Sequence, residues 1–308
     1  MTVKTVRKCF AFTLGMALLA LAPWSSAFAS WNAGNFLKFG IGARAMGMGN
    51  SFVAIADDAT AIYWNPAGLT LATRNEVFVS YAERFGAGIQ DHNGGIALRW
   101  RKRINVGFAF ARTSLGDIKH TTEGVVDSRG RPVIDGTFDD AEVALLFASG
   151  VRVLEIFSVG VTAKYMIHEL AGQSANGIAL DVGWLFCPVE ALKLGMNAQN
   201  INRPRMKWTT HETHYDRIPA NFKFGGAVSM LDSKLKVSAD LNIPDFGDLV
   251  FNSGVEYALT NYLAMRGGLA QAELATGASI SWDRVRLDYA YRTRELGDTH
   301  RFALVYGF

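Results

Sequence analysis

The chain has 308 residues, 49% hydrophobic and 19% charged, with 31 basic residues against 28 acidic ones. That near-balance excludes recruitment to nucleic acid or anionic lipid by an overall field. From Glu76 onward no run of 18 apolar residues occurs, which excludes transmembrane helices there.

Residues 1–29 have the form of a secretory signal. Lys4, Arg7 and Lys8 make a basic start, Phe10 to Ala22 an apolar run, and Ala27-Phe28-Ala29 a small-x-small cleavage site. The signal holds 3 basic and no acidic residues, so the mature chain balances 31 − 3 = 28 basic against 28 acidic. Cys9 leaves with it and Cys187 stands alone, so no intrachain disulfide can form. Stability must then come from something else, and a closed barrel would suffice.

Residues 30–75 form a separate N-terminal segment rich in Gly and Ala, the expected hatch. Ala54 to Asp58 lead into Ala59-Thr60-Ala61-Ile62-Tyr63-Trp64, a short helix with Asp57 or Asp58 as N-cap, ended by Pro66. Asn65-Pro66-Ala67-Gly68 reads as a turn that hands the chain to the first strand.

From residue 76 to 308 short segments alternate apolar with small or polar residues, the two-residue period of a strand. Leu235, Val237, Ala239, Leu241 and Ile243 oppose Lys236, Ser238, Asp240 and Asn242; Leu287, Tyr289 and Tyr291 oppose Arg286, Asp288 and Arg292. The segments have the ~9–11 residues a tilted transmembrane strand needs, and Tyr81, Trp100, Trp184, Trp282, Tyr291 and Tyr306 collect near their ends. Fourteen are expected: 76–84, 91–101, 104–115, 138–149, 157–168, 175–185, 192–199, 220–230, 235–243, 249–258, 263–270, 275–282, 285–292 and 299–308. Twelve is the runner-up, if 249–258 and 263–270 merge or fail. The long connections, 116–137 and 200–219, fall third and seventh, on the side opposite tight turns such as Lys102-Arg103 and Asp283-Arg284. The fold class expected is therefore an all-β transmembrane antiparallel β-barrel of about 14 strands, with an N-terminal hatch or plug in its lumen.

The face opposite the apolar one is small and lines the lumen, with Gly160, Gly183, Gly225, Gly254 and Gly268 among its members. Between the glycines sit Lys164, Asp181, Lys223, Asp240, Glu256, Arg266, Arg286 and Asp288, tolerable only where water or partners solvate them. They read either as a self-neutralising brace or as a selectivity surface.

Gly42-Ala43-Arg44-Ala45-Met46-Gly47-Met48-Gly49, Ala54-Ile55-Ala56-Asp57-Asp58-Ala59 and Asn65-Pro66-Ala67-Gly68-Leu69 closely resemble the N-terminal signature of the PorV/PorQ family, within the FadL-like outer-membrane proteins. The preceding Ala33-Gly34-Asn35-Phe36-Leu37-Lys38 also fits. The resemblance implies a fourteen-stranded barrel in a Gram-negative outer membrane. It makes Gly42, Arg44, Gly47, Gly49, Asp57, Asp58, Asn65, Pro66 and Ala67 the hatch motif. It implies two roles: passage of small hydrophobic compounds past the hatch, or type IX secretion, in which the barrel binds exported cargo. The expected partners are outer-membrane lipid, a hydrophobic small molecule, and secretion-system or cargo proteins, without nucleic acid.

The long connections depart from both roles, being polar. The first carries Asp117, Lys119, His120, Glu123, Asp127, Arg129, Arg131 and Asp135, and neither forms a greasy landing site. Gly40-x-Gly42 and Gly47-x-Gly49 lack the Gly-Lys-Ser/Thr of a phosphate loop and read as close-packing positions. His211-x-x-His214 with Glu212 is a weak metal pattern, and His168-Glu169 has no convergent nucleophile. No catalytic residue, metal site or cofactor is expected, and a non-enzyme is the reading.

Overall fold

The computed structural model describes residues 34–210, 214–245, 247 and 249–308. The signal expected over 1–29, the domain start at 30, Ala33 of the signature and the loop residues His211 and Glu212 lie outside the described residues.

Sixteen strands follow one another in antiparallel register: β1 (Glu76–Arg84), β2 (Ile89–Arg101), β3 (Ile104–Val126), β4 (Pro132–Leu154), β5 (Phe157–Leu170), β6 (Gln173–Val189), β7 (Leu192–Gln199), β8 (Arg205–Trp208), β9 (Tyr215–Arg217), β10 (Asn221–Met230), β11 (Leu235–Pro244), β12 (Val250–Ala258), β13 (Leu263–Ala270), β14 (Glu273–Trp282), β15 (Val285–Arg292) and β16 (Thr299–Gly307). Fourteen build the wall. Each pairs with its chain neighbour, β7 pairs directly with β10, and β16 returns to β1. The β5–β6 pairing completes the ring, so no wall strand is left with an open edge. The fourteen expected segments and the wall strands coincide to within a few residues at most ends.

The two-residue period decides which side chains face out. Along β16 buried and exposed residues alternate without a break: Arg301, Ala303 and Val305 point inward, Phe302, Leu304 and Tyr306 outward. Similar outward rows on the other strands make an apolar belt, with Trp100 and Trp282 exposed at strand ends, a surface suited to hydrocarbon.

Two expected loops are ordered differently. The 116–137 connection is an antiparallel ribbon, because β3 and β4 continue pairing through Ile118↔Phe138 and His120↔Gly136 to Val126↔Pro132. Its β-branched residues and Asp127, which accepts from Arg129 and Arg131 main-chain N–H groups at 2.8 and 3.0 Å, give it strand and turn chemistry despite its polarity. The 200–219 connection contains the hairpin β8–β9, docked on β6 through Ala175↔Trp208.

Residues 34–75 run inside the wall. They comprise 3-10 turns at Asn35–Phe39 and Pro66–Leu71 and two short helices, α1 (Ala43–Gly47) and α2 (Ala61–Trp64). Ile41, Met48, Phe52, Ile62, Tyr63, Trp64 and Leu69 are almost fully buried and form one cluster with inward residues of the wall such as Phe78, Ala109 and Leu146. The wall's inward glycines let this segment approach. A Cβ at Gly183 would lie 2.3 Å from Asn65 Oδ1, one at Gly254 2.4 Å from the Met48 carbonyl oxygen, and one at Gly268 2.4 Å from Gly49 N.

Candidate functional site

Arg44 on α1 is the centre of the contact between the N-terminal segment and the wall. Its guanidinium donates to Glu256 on β12 at 2.8 and 3.0 Å, to Asp57 at 2.5 Å and to Asp58 at 3.1 Å. Wall charges close the network. Arg266 donates to Glu256 at 2.6 Å, Lys236 sits 3.2 Å from the same carboxylate, and Arg286 bridges Asp288 at 3.0 Å and Asp58 at 3.2 Å. Four cations (Arg44, Lys236, Arg266, Arg286) therefore face four carboxylates (Asp57, Asp58, Glu256, Asp288). Burial opposes charge on Asp57, but Arg44 and then Lys236 and Lys193 outweigh it, holding its carboxyl well below the usual range. Asp58 is likewise held low, against burial, by Arg44 and Arg286.

The helix expected over 59–64 shortens to α2, and its N-cap residue, Thr60, makes no side-chain capping bond. Asp58 ties the preceding turn instead, accepting from Thr60 N at 3.0 Å and Thr60 Oγ1 at 2.5 Å. Asp57 does not cap; it is drawn away to Arg44. The ion network explains both departures, since a buried guanidinium competes for the carboxylates more strongly than a single turn of helix does.

Asn65 is fully buried and joins three elements. Its amide donates to Val53 O at 2.9 Å and to Trp184 O on β6 at 3.0 Å, while its oxygen accepts from Ala67 N at 3.2 Å. Pro66 then starts a 3-10 turn. Asp240 on β11 receives the main-chain N–H groups of Phe52 and Val53 at 2.8 and 3.0 Å. Gly49 (φ +61°) faces Leu269 and Ser253 main-chain atoms so closely that only glycine fits. Gly42 precedes α1 as its N-cap residue and Gly47 ends it, with Gly47 against Gly277 of the wall. The structure thus brings residues of the N-terminal signature together with most of the luminal charges, which the sequence placed only on separate faces.

Lys164 and Lys223 stand apart from the Arg44 network. Lys164 pairs with Asp181 at 2.8 Å and donates to Asn200 at 2.6 Å. Lys223, on β10, lies over the rings of Tyr63 and Trp64 at 5.1 and 4.8 Å. Among the described residues it makes no ion pair or hydrogen bond. Both line a cavity of about 470 Å³ at the end of the lumen that carries the long connections, between residues 34–39 and the mouth.

A second charged group near that mouth escaped sequence reasoning. Arg84 pairs with Asp91, and Arg301 reaches Asp91 at 3.0 Å and Gly40 O at 2.8 Å. Arg292 and Arg294 share Glu273 at 2.5 and 3.2 Å. Phe39 stacks between Arg84 and Arg294, 3.7 and 4.5 Å from its ring centroid. A signal was present: Arg301 alternates with Phe302 and Leu304 and so shares the inward face of Ala303.

No family model matches the sequence, and no curated protein matches it either. Solved structures do. The toluene transporter TbuX of Ralstonia pickettii is 16% identical with a TM-score of 0.65, over 87% of this chain and 98% of that one. The CymD monoaromatic hydrocarbon channel is 12% identical with a TM-score of 0.65, over 88% and 98%. A Pseudomonas aeruginosa FadL homologue is 12% identical with a TM-score of 0.58, over 86% and 98%. At these identities the likeness is one of architecture: the chain has the fourteen-stranded barrel fold of these proteins.

Proposed function

We propose that the chain is an outer-membrane channel for small hydrophobic organic compounds, in which residues 34–75 act as the hatch. One observation carries this reading: a single N-terminal segment packs against almost the whole circumference of a closed wall at one level, leaving a cavity on the long-connection side. A barrel needs no such filling for its own closure, whereas a gated conduit does. The segment is held by Arg44, Asn65 and Asp240 as well as by apolar packing, and those polar anchors can be released or re-formed without unfolding the wall. The apolar belt supports placement in the outer membrane, and the hydrocarbon transporters that share the architecture support the substrate class.

The test is uptake of radiolabelled toluene by Gram-negative cells whose own outer membrane admits it slowly. Cells carrying the chain should accumulate it faster, and Asn65→Ala should change the rate while the barrel still assembles. Uptake equal to that of cells without the chain, with the barrel present in the outer membrane, would remove the reading.

A further inference from the structure

The cavity at the mouth has a chemistry unlike that of a conduit for hydrocarbons. Among the described residues five basic side chains line it and no carboxylate does; eight Asn and Gln amides make up much of the rest. Three of those amides, on Asn50, Asn221 and Asn242, have buried oxygens that accept no hydrogen bond, and the Nε donor of Arg292 is likewise unmatched. The nearby acids are directed elsewhere and neutralise this set only in part. Asp181 is taken by Lys164, Glu273 is shared by two arginines, and Asp240 is turned to the Phe52 and Val53 amides.

Lys223 is the sharpest of these features. Lys223 is only 6% exposed, it lines the cavity, and its ammonium lies over the rings of Tyr63 and Trp64; Asp240 and Asp181 act on it only at longer range, without a direct ion pair. A buried ammonium without a direct ion pair is costly, and contact with ring faces replaces only part of its lost hydration. Orphan amide oxygens close to it call for donors, which hydroxyl groups supply. A volume of about 470 Å³ is in the range of small-molecule sites.

We propose that this cavity binds a small hydroxylated organic carboxylate, with Lys223 as its counter-ion and the orphan amides accepting from its hydroxyls. The proposal rests on the channel reading for its biological sense and adds a polar, anionic ligand to the hydrophobic compounds of that reading, but its chemistry can be tested without transport. Two sources share that chemistry, a hydroxylated aromatic acid and a sugar acid.

The experiment is calorimetric titration of the purified full chain in detergent with 4-hydroxybenzoate, gluconate and neutral p-cresol. At least one carboxylate should bind saturably and at least tenfold more tightly than p-cresol, and which one binds separates the aromatic source from the sugar. Raising the salt concentration should weaken that binding. Lys223→Met should weaken it at least tenfold without altering p-cresol, and Lys223→Arg should retain it within a few-fold. Gel mobility with and without heating checks that each variant is folded. If Lys223→Met does not fold, Arg294→Gln at the cavity edge and the salt series on the native chain carry the test. Equal binding of p-cresol and the acids, no binding of either acid, or binding indifferent to Lys223 would overturn the proposal. Carboxylate binding without toluene uptake would leave the site standing and remove the channel reading; toluene uptake without carboxylate binding would do the reverse.

Discussion

Replacing Arg44 with Met should unseat the N-terminal segment while leaving the wall intact. Arg44 makes four close contacts with three carboxylates, and only it among the cations belongs to the segment. Without it, three cations face four carboxylates, three of them buried and Asp57 half-buried. Breaking a buried ion network from one side costs ~3–5 kcal/mol, because the abandoned charges stay desolvated. Lys236, Arg266 and Arg286 remain to screen them, so the lower part of that range, ~3 kcal/mol, is expected. At about 1.4 kcal/mol per decade this is roughly a hundredfold shift towards the released segment. The wall's ladder hydrogen bonds do not involve Arg44, so the loss is local. Hydrogen exchange read by mass spectrometry should show faster exchange for 43–64 and unchanged exchange for β10 to β16. The second substitution Glu256→Gln should recover part of the loss, because it removes one stranded charge. Equal protection of 43–64 in the native protein and in Arg44→Met would refute the assignment of Arg44 as the anchor.

Asn65→Ala should lower stability by ~1–3 kcal/mol per buried partner left unsatisfied, since Val53 O and Trp184 O both lose their donor; thermal unfolding of the purified barrel measures it. Gly268→Val should disturb the segment more than the wall, because even a Cβ there would lie 2.4 Å from Gly49 N; overpacking of ~1–3 kcal/mol should appear as faster proteolysis within 43–64. The seating should also depend on acid. Asp57 and Asp58 have folded-state values below the unfolded one, so their contribution is fully present above the ordinary carboxylate pKa of ~3.9 and is lost as pH falls through the lowered values. Exchange protection of 43–64 should therefore persist from neutral pH to about pH 4 and fall only below it.

The chain's own pattern carried the wall. Alternation, tight turns and aromatic strand ends are local properties of one strand and its neighbour, and they sufficed for fourteen strands at nearly correct positions. The same local reasoning failed for 116–137, where charge suggested a loop but continued β3–β4 pairing, with shifts of register, made a ribbon. It also failed for 59–64, where cap-like aspartates were taken by an arginine thirteen or more positions away.

Sequence by itself determined which face of each strand is small or charged, and which stretch of the chain is unlike the rest. Only the tertiary structure decided what those charges meet. The inward rows of β11 to β15 become a brace because the ring's curvature aims them at one point, and Arg44 reaches that point from a segment some two hundred residues away in sequence. Lys223 looks like Arg266 or Lys236 on the page of residues. It differs because the ring places it above Tyr63 and Trp64, where among the described residues no carboxylate pairs with it directly, and a period of two carries no information about who sits across a lumen.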